Sequence, residues 1–153
     1  MKHKNFFVLM LCLLLVPLGV LASPGWADTV SYVEGSWDST TKKLTYTLHD
    51  GTSAANSTPV THDTTTWNGG WHYVTGDVTI FNRITVTGDV HLILCDGAKL
   101  TASRGITVTS NDTTLNKLTI YAQSGGTGKL VATAWDNTNA GIGGGPVMAG
   151  SEL

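Results

Sequence analysis

The chain has 153 residues, of which 41% are hydrophobic and 13% charged, with a formal net charge of −2. That length is enough for one domain. So light and net-acidic a charge argues against a nucleic-acid partner, which needs a basic face.

The first residues read as a secretory signal peptide over 1–27. Lys2 and Lys4 form a positive start, Phe6 to Leu15 is an unbroken apolar run, and Gly25-Trp26-Ala27 offers small residues at the −3 and −1 positions of a cleavage site. The alternative is an uncleaved anchor, although the apolar run is short of the about 20 residues a span needs. Cleavage leaves a chain from Asp28 with seven basic residues against eleven acidic, so the net charge moves from −2 to −4. It also removes Cys12 and leaves Cys95 as an odd thiol, read as buried and structural. A small exported domain without a disulfide points to a bacterial protein held together by a β ladder.

Residues 28–63 form an N-terminal region of strands and linker. "TVSYV" and "KLTYTL" are rich in Thr, Tyr and Val, with the turn-like "WDSTTKK" between them, so a small β-hairpin is expected. Gly51 to Asp63 is Ser, Thr, Asn and Pro, the composition of a loop or linker.

Residues 64–153 carry the repeats. From Val78 to Val108, twelve of the sixteen even positions are apolar, and the even exceptions are Asn82, Gly88, Asp96 and Arg104. Period-two alternation means strands with one face inward. The phrase T-G-D-V occurs at Thr75 and again at Thr87, and "KLTA" (99–102) returns as "KLVA" (129–132). "RGITV" (104–108) likewise matches "AGIGG" (140–144). Self-similarity at this spacing is the mark of a solenoid. The expected fold is therefore all-β, a right-handed parallel β-helix, short or truncated, with T-G-D-V at its corners. An antiparallel sandwich is the alternative.

No catalytic motif emerges. "SGGTGKL" (124–130) fails as a phosphate loop because it has Gln123 and Leu130 where Gly and Ser or Thr are needed. "AGIGGGP" (140–146) fails as a dinucleotide fingerprint because Pro146 takes the place of the third glycine. The five histidines fit no metal-ligand spacing, so neither a cofactor nor a metal is expected. Asp77 and Asp89 hold the same place in the two T-G-D-V phrases, which favours a turn-capping role over acid–base work.

Four aromatics in polar surroundings are the candidate ligand-binding residues: Trp67, Trp71, Tyr73 and Trp135. Exposed rings stack on the apolar C–H faces of sugars and leave the hydroxyls to polar neighbours. The alternative is that Trp67 and Trp71 plug an open end of the core.

"TTTWNGGWHYVTGDVTIFNRITVTGDVHLILCDGAKLTASRGITV", with "LTIYAQSGGTGKLVATA" and "AGIGGG" after it, resembles a segment of large exported surface proteins of gut bacteria. The resemblance covers about Thr64 to Gly145. It implies a right-handed parallel β-helix, described as carbohydrate-binding or adhesin-like, on the cell surface or secreted. It offers no catalytic residues. Members of that family continue through further glycine-rich coils, whereas this chain ends in "PVMAGSEL", so a truncated solenoid with an edge open to pairing, with further coils or with itself, is the expectation.

Three functions follow. The first is a non-catalytic module that binds a polysaccharide or a host or dietary glycan. The second is a polysaccharide-degrading enzyme fragment, for which Arg83, Lys99, Arg104, Asp77 and Asp89 are the candidates. The third is a purely structural cap of a longer stalk.

Overall fold

The computed structural model describes residues 30–51, 54, 56–110 and 113–144. The signal-peptide expectation over 1–27 and the closing "PVMAGSEL" lie outside the described residues. The described residues are all-β, with eleven strands: β1 (Tyr32–Asp38), β2 (Lys43–His49), β3 (Thr58–Pro59), β4 (Thr66–Val74), β5 (Asp77–Ile80), β6 (Ile84–Leu94), β7 (Lys99–Ala102), β8 (Ile106–Thr107), β9 (Lys117–Ala122), β10 (Lys129–Ala132) and β11 (Ile142–Gly143). Among them, no helix is long and apolar enough to cross a membrane.

Among β3 to β11 the pairings are parallel and fall into three ladders, while β9 also meets β1 antiparallel at Val33↔Ala122. β7 lies between β5 and β10, with Val78, Leu100 and Leu130 in one column. β8 lies between the first half of β6 and β11, aligning Ile84, Ile106 and Ile142. The second half of β6 lies between β4 and β9, aligning His72, Leu92 and Ile120. Each ladder takes strands from successive passes of the chain. The repeats "KLTA" and "KLVA" stack residue on residue.

The even-numbered pattern is borne out by burial. Ile80, Ile84, Val86, Val90, Leu92, Leu94, Ala98, Leu100, Ala102 and Ile106 form one buried cluster, and Val78 and Val108 pack against it. The two T-G-D-V phrases open β5 and the second half of β6. They are two bends of the same pass, with the 81–83 corner between them, since Asp77 aligns with Lys99 while Asp89 aligns with Lys117. At each bend the glycine takes a left-handed angle, φ 66° at Gly76 and 78° at Gly88, which a residue with a Cβ adopts only at a cost.

The turn-capping role expected for Asp89 is replaced by another. Its carboxylate lies 3.7 Å from the Lys117 ammonium and 3.6 Å from the His91 ring. The Gly88 amide is held instead by Asn116 Oδ1 at 2.7 Å. The Asp96-Gly97 turn does use its acid, but across passes: Asp96 accepts from the Gly125 and Thr127 amides. The "SGG" of the rejected phosphate loop is thus a turn stacked on an earlier turn. A Cβ at Gly125 would sit 2.7 Å from the Asp96 carboxylate, so a larger residue there would displace that carboxylate.

The N-terminal hairpin forms as expected, with β1 and β2 antiparallel from Tyr32↔His49 to Asp38↔Lys43. Asp38 closes its turn by accepting from the Thr40 and Thr41 amides and the Thr41 hydroxyl. These bonds, the Thr41 hydroxyl first, hold the Asp38 carboxyl below the ordinary aspartate range. The expected linker contributes to the fold: Thr58–Pro59 pairs with β4, and Val60 is buried in the main cluster.

Candidate functional site

The structure separates the four candidate aromatics. Trp67 is fully buried and aligned with Val86, so its ring offers no face to a ligand. This corrects its place among the ligand contacts and agrees with the core-plugging alternative. The cause is a register shift between Asn68 and Gly70, where Gly70 adopts φ 118°. The shift changes which parity faces inward, so Trp67 turns in before it and His72 and Val74 turn in after it. The His72 ring donates from Nε2 to the Asn68 carbonyl at 2.7 Å.

Trp71 and Tyr73 share the opposite side of β4, and both are half-buried. Trp71 stacks on His91 at a centroid distance of 4.5 Å, and Tyr32 lies against it at 4.7 Å. Tyr121 joins at 5.2 Å from Trp71 and 4.8 Å from Tyr32, and Tyr32 stacks in turn on His49 at 4.6 Å. This aromatic cluster fastens the hairpin to the parallel sheet, and Tyr73 packs beside it with Ile93 and Ala54. Burial raises the Tyr121 phenol above its ordinary pKa, and the Glu34 carboxylate adds to the effect. The Trp71 edge still borders a small cleft of about 260 Å³ with Asn56, Thr58, Thr66 and Asn68.

Trp135 is the exposed member, with 60% of its surface open. The Arg104 guanidinium stands over one ring face, 4.6 Å from the centroid, a cation–π contact that orients the indole and leaves its other face to solvent. The next residue fixes the loop: Asp136 Oδ1 accepts from the Thr138 amide, the Thr138 hydroxyl and the Asn139 carboxamide. The Thr138 hydroxyl is the main reason the Asp136 carboxyl is held below the usual aspartate range.

The residues considered for catalysis are held in separate contacts. Arg83 donates to the carbonyls of Arg104 and Ala140 and to the Thr107 hydroxyl. Arg104 is on Trp135, and Asp89 is with Lys117. Asp77 and Lys99 are neighbours in register on β5 and β7. Among the described residues, no group of three or more His, Cys, Asp or Glu could hold a metal. Cys95 is buried and unpaired, and burial pushes its thiol pKa up.

Sequence reasoning passed over Trp37 and Tyr46. Both lie on one face of the hairpin with Leu44 and Leu48, and they are 60% and 70% exposed. The alternation of "KLTYTLH" marked that face, but nothing in the pattern says whether an apolar face meets a core.

Comparison with protein-family models, curated proteins and solved structures finds no match.

Proposed function

We propose that the chain is an exported, secreted or cell-surface module whose parallel passes wind as a right-handed β-helix and which binds glycans without acting on them chemically. The winding is supported by the three parallel ladders, each joining strands of successive passes, and by the rule that parallel crossovers within a sheet are right-handed. The observation that carries the binding is Trp135, whose exposed indole is braced on one face by Arg104 and held by a hydrogen-bonded loop. A pyranose ring would stack on the free face, and the Asn139 and Thr138 side chains lie within the same loop. Such a site rests on a rigid ladder, since Trp135 follows β10.

The test is a glycan array probed with the protein and with Trp135→Ala. Retention of particular glycans by the protein, weakened about fivefold in the variant, supports the reading, because one stacking contact is worth about 1 kcal/mol. Absence of any retained glycan refutes it. A structural role is the second reading, favoured by Ile120 and Ile142. They occupy inward columns of the last strands, yet are 41% and 44% exposed, so further parallel strands could cover them.

A further inference from the structure

The hairpin carries a surface that the Trp135 site does not use. In the register of β1 and β2, Val33 faces Leu48, Gly35 faces Tyr46, and Trp37 faces Leu44. All six positions lie on one face. The opposite face carries Glu34, Ser36, Asp38, Lys43, Thr45 and Thr47 with Tyr32 and His49, and Tyr32 anchors it to the sheet. An apolar face on the free side of an anchored hairpin has no core to join.

Tyr46 has a distinctive geometry there. A Cβ built on Gly35 would lie 3.5 Å from Tyr46 Cε1 and 3.7 Å from Cδ1. The ring therefore reclines across the glycine of the neighbouring strand, covering its bare backbone, and turns its far side to solvent. Its 70% exposure agrees. Beside it a groove of about 490 Å³ runs between the hairpin and the end of β9, lined by Val33, Gly35, Tyr46, Leu48, Gln123 and Ser124. The Gln123 carboxamide is fixed at both ends, accepting from the Asp96 amide at 2.8 Å and donating to the Ser31 carbonyl at 3.3 Å. The groove thus joins a flat ring to hydroxyl and amide groups at one wall.

We infer that this groove is a second saccharide-binding face, specific for neutral pyranose chains, with Tyr46 as the stacking platform and Trp37 as a flanking one. The inference rests on the glycan-binding reading and extends it to a second site. Two observations choose the occupant. The groove is lined without a single charged residue, so it complements a neutral sugar better than a uronate or a sialylated glycan. The apolar face is also too small for a stable pairing of two copies. Seven residues of two strands span about 24 Å by 10 Å, or about 240 Å², against the about 800 Å² per partner of a standard interface. The groove volume instead falls in the about 300–1,000 Å³ range of small-ligand sites. Trp37 lies diagonally from Tyr46, two rungs along the hairpin, about 7–8 Å away by strand geometry, a separation suited to adjacent sugar units.

The experiment is an NMR titration of the aromatic protons of the whole protein with cellotetraose, mannotetraose and, as the charged comparison, tetragalacturonic acid. Parallel titrations use Tyr46→Ala, Tyr46→Phe and Trp135→Ala. The inference expects the Tyr46 and Trp37 ring signals to move with a neutral tetrasaccharide, an affinity about tenfold lower in Tyr46→Ala, and little change in Tyr46→Phe. Trp135→Ala leaves the Tyr46 response in place. If glycan binding persists in Tyr46→Ala and disappears in Trp135→Ala, the hairpin site is overturned while the glycan reading stands. If no tetrasaccharide moves any aromatic signal, both are overturned. A preference of the Tyr46 signals for the uronate overturns the neutral-ligand assignment. The Tyr46→Phe variant preserves the ring over Gly35, so a loss confined to Tyr46→Ala with unchanged far-UV circular dichroism reports the missing ring and not a lost hairpin.

Discussion

The guanidinium of Arg83 donates to the carbonyl of Ala140, 57 positions further along the chain, at 3.3 Å. On the way it also takes the Arg104 carbonyl at 2.8 Å. One side chain therefore binds the corners of three successive passes, all of them on the β6–β8–β11 ladder. Corner carbonyls lack strand partners, and a charged donor satisfies them better than a neutral one.

Replacing Arg83 by Met should therefore loosen all three corners together. We expect a loss of about 1.5–3 kcal/mol, the range for hydrogen bonds to charged groups. Urea denaturation of the two proteins measures it. A variant as stable as the parent would mean that solvent satisfies those carbonyls equally well.

Leu100 is fully buried in the middle of its column, between Val78 and Leu130. Leu100→Ala should cost about 2–5 kcal/mol. Leu44→Ala, on the exposed hairpin face, should cost a small fraction of that. Equal losses at both positions would show that the hairpin face is covered in solution.

Two corner glycines should respond differently to a methyl group. Gly76 and Gly105 share the left-handed angle, φ 66° and 77°. A Cβ at Gly76 meets nothing within 4 Å, whereas at Gly105 it would lie 2.6 Å from the Gly141 carbonyl oxygen. Gly76→Ala should cost about 1–2 kcal/mol for the backbone angle alone. Gly105→Ala adds a backbone clash to that strain, and thermal melts should place it clearly lower. The reverse order would contradict the stacking of the 104–105 and 140–141 corners.

Cys95 should resist thiol reagents. Burial is the main cause that raises its pKa, and the Asp96 carboxylate adds to it, so the reactive thiolate is disfavoured at neutral pH. Labelling with iodoacetamide at pH 7.5 should be slow in the native protein and fast in denaturant. Native labelling at the rate of a free cysteine would place the thiol at the surface.

The loop that holds Trp135 should survive mild acid. The Asp136 carboxyl titrates below its ordinary value because the Thr138 hydroxyl, the Thr138 amide and the Asn139 amide all favour the charged form. A depressed carboxylate pKa gives an interaction that is complete above the unfolded value and lost as pH falls through the folded one. The Trp135 environment, read as the fluorescence difference from Trp135→Phe, should therefore hold through about pH 3.9, the ordinary aspartate value, and change only below it. Asp136→Ala should remove that transition.

Much of this was legible in the sequence, and the reasons differ by residue. The even-numbered apolar run gave the inward face from Val78 to Val108 because no bulge interrupts that parity in β5 to β8. Trp67 was misplaced because the Gly69-Gly70 irregularity reverses parity within β4, and a glycine pair signals a bend without fixing which side follows it. The equivalence of "KLTA" and "KLVA" was visible because both halves sit on regular strands. The T-G-D-V phrases were expected at corners, and both do open strands at a bend where the glycine is left-handed, Gly76 before β5 and Gly88 within β6. The aromatic cluster around Tyr32 could not be read at all, because it joins residues of β1, β2, β4, β6 and β9 that only the pairings bring together.

The bends between ladders differ greatly in length. Gly88 alone carries the chain from the first to the second half of β6, yet the corresponding connection from β8 to β9 takes residues 108–116. The connection from β10 to β11 uses 133–141, against 103–105 one pass earlier. The neighbouring strands keep their register regardless, Ile106 on Ile84 and Ile142 on Ile106. Alignment is dictated strand to strand, so the connections can differ in length. The connection from β8 to β9 is a natural port of insertion, whereas the one from β10 to β11 carries Trp135 and the Ala140 carbonyl that Arg83 holds: a peptide epitope or a reporter spliced ahead of β9 would ride outside the ladders, and a new recognition loop could evolve there without the scaffold being rebuilt.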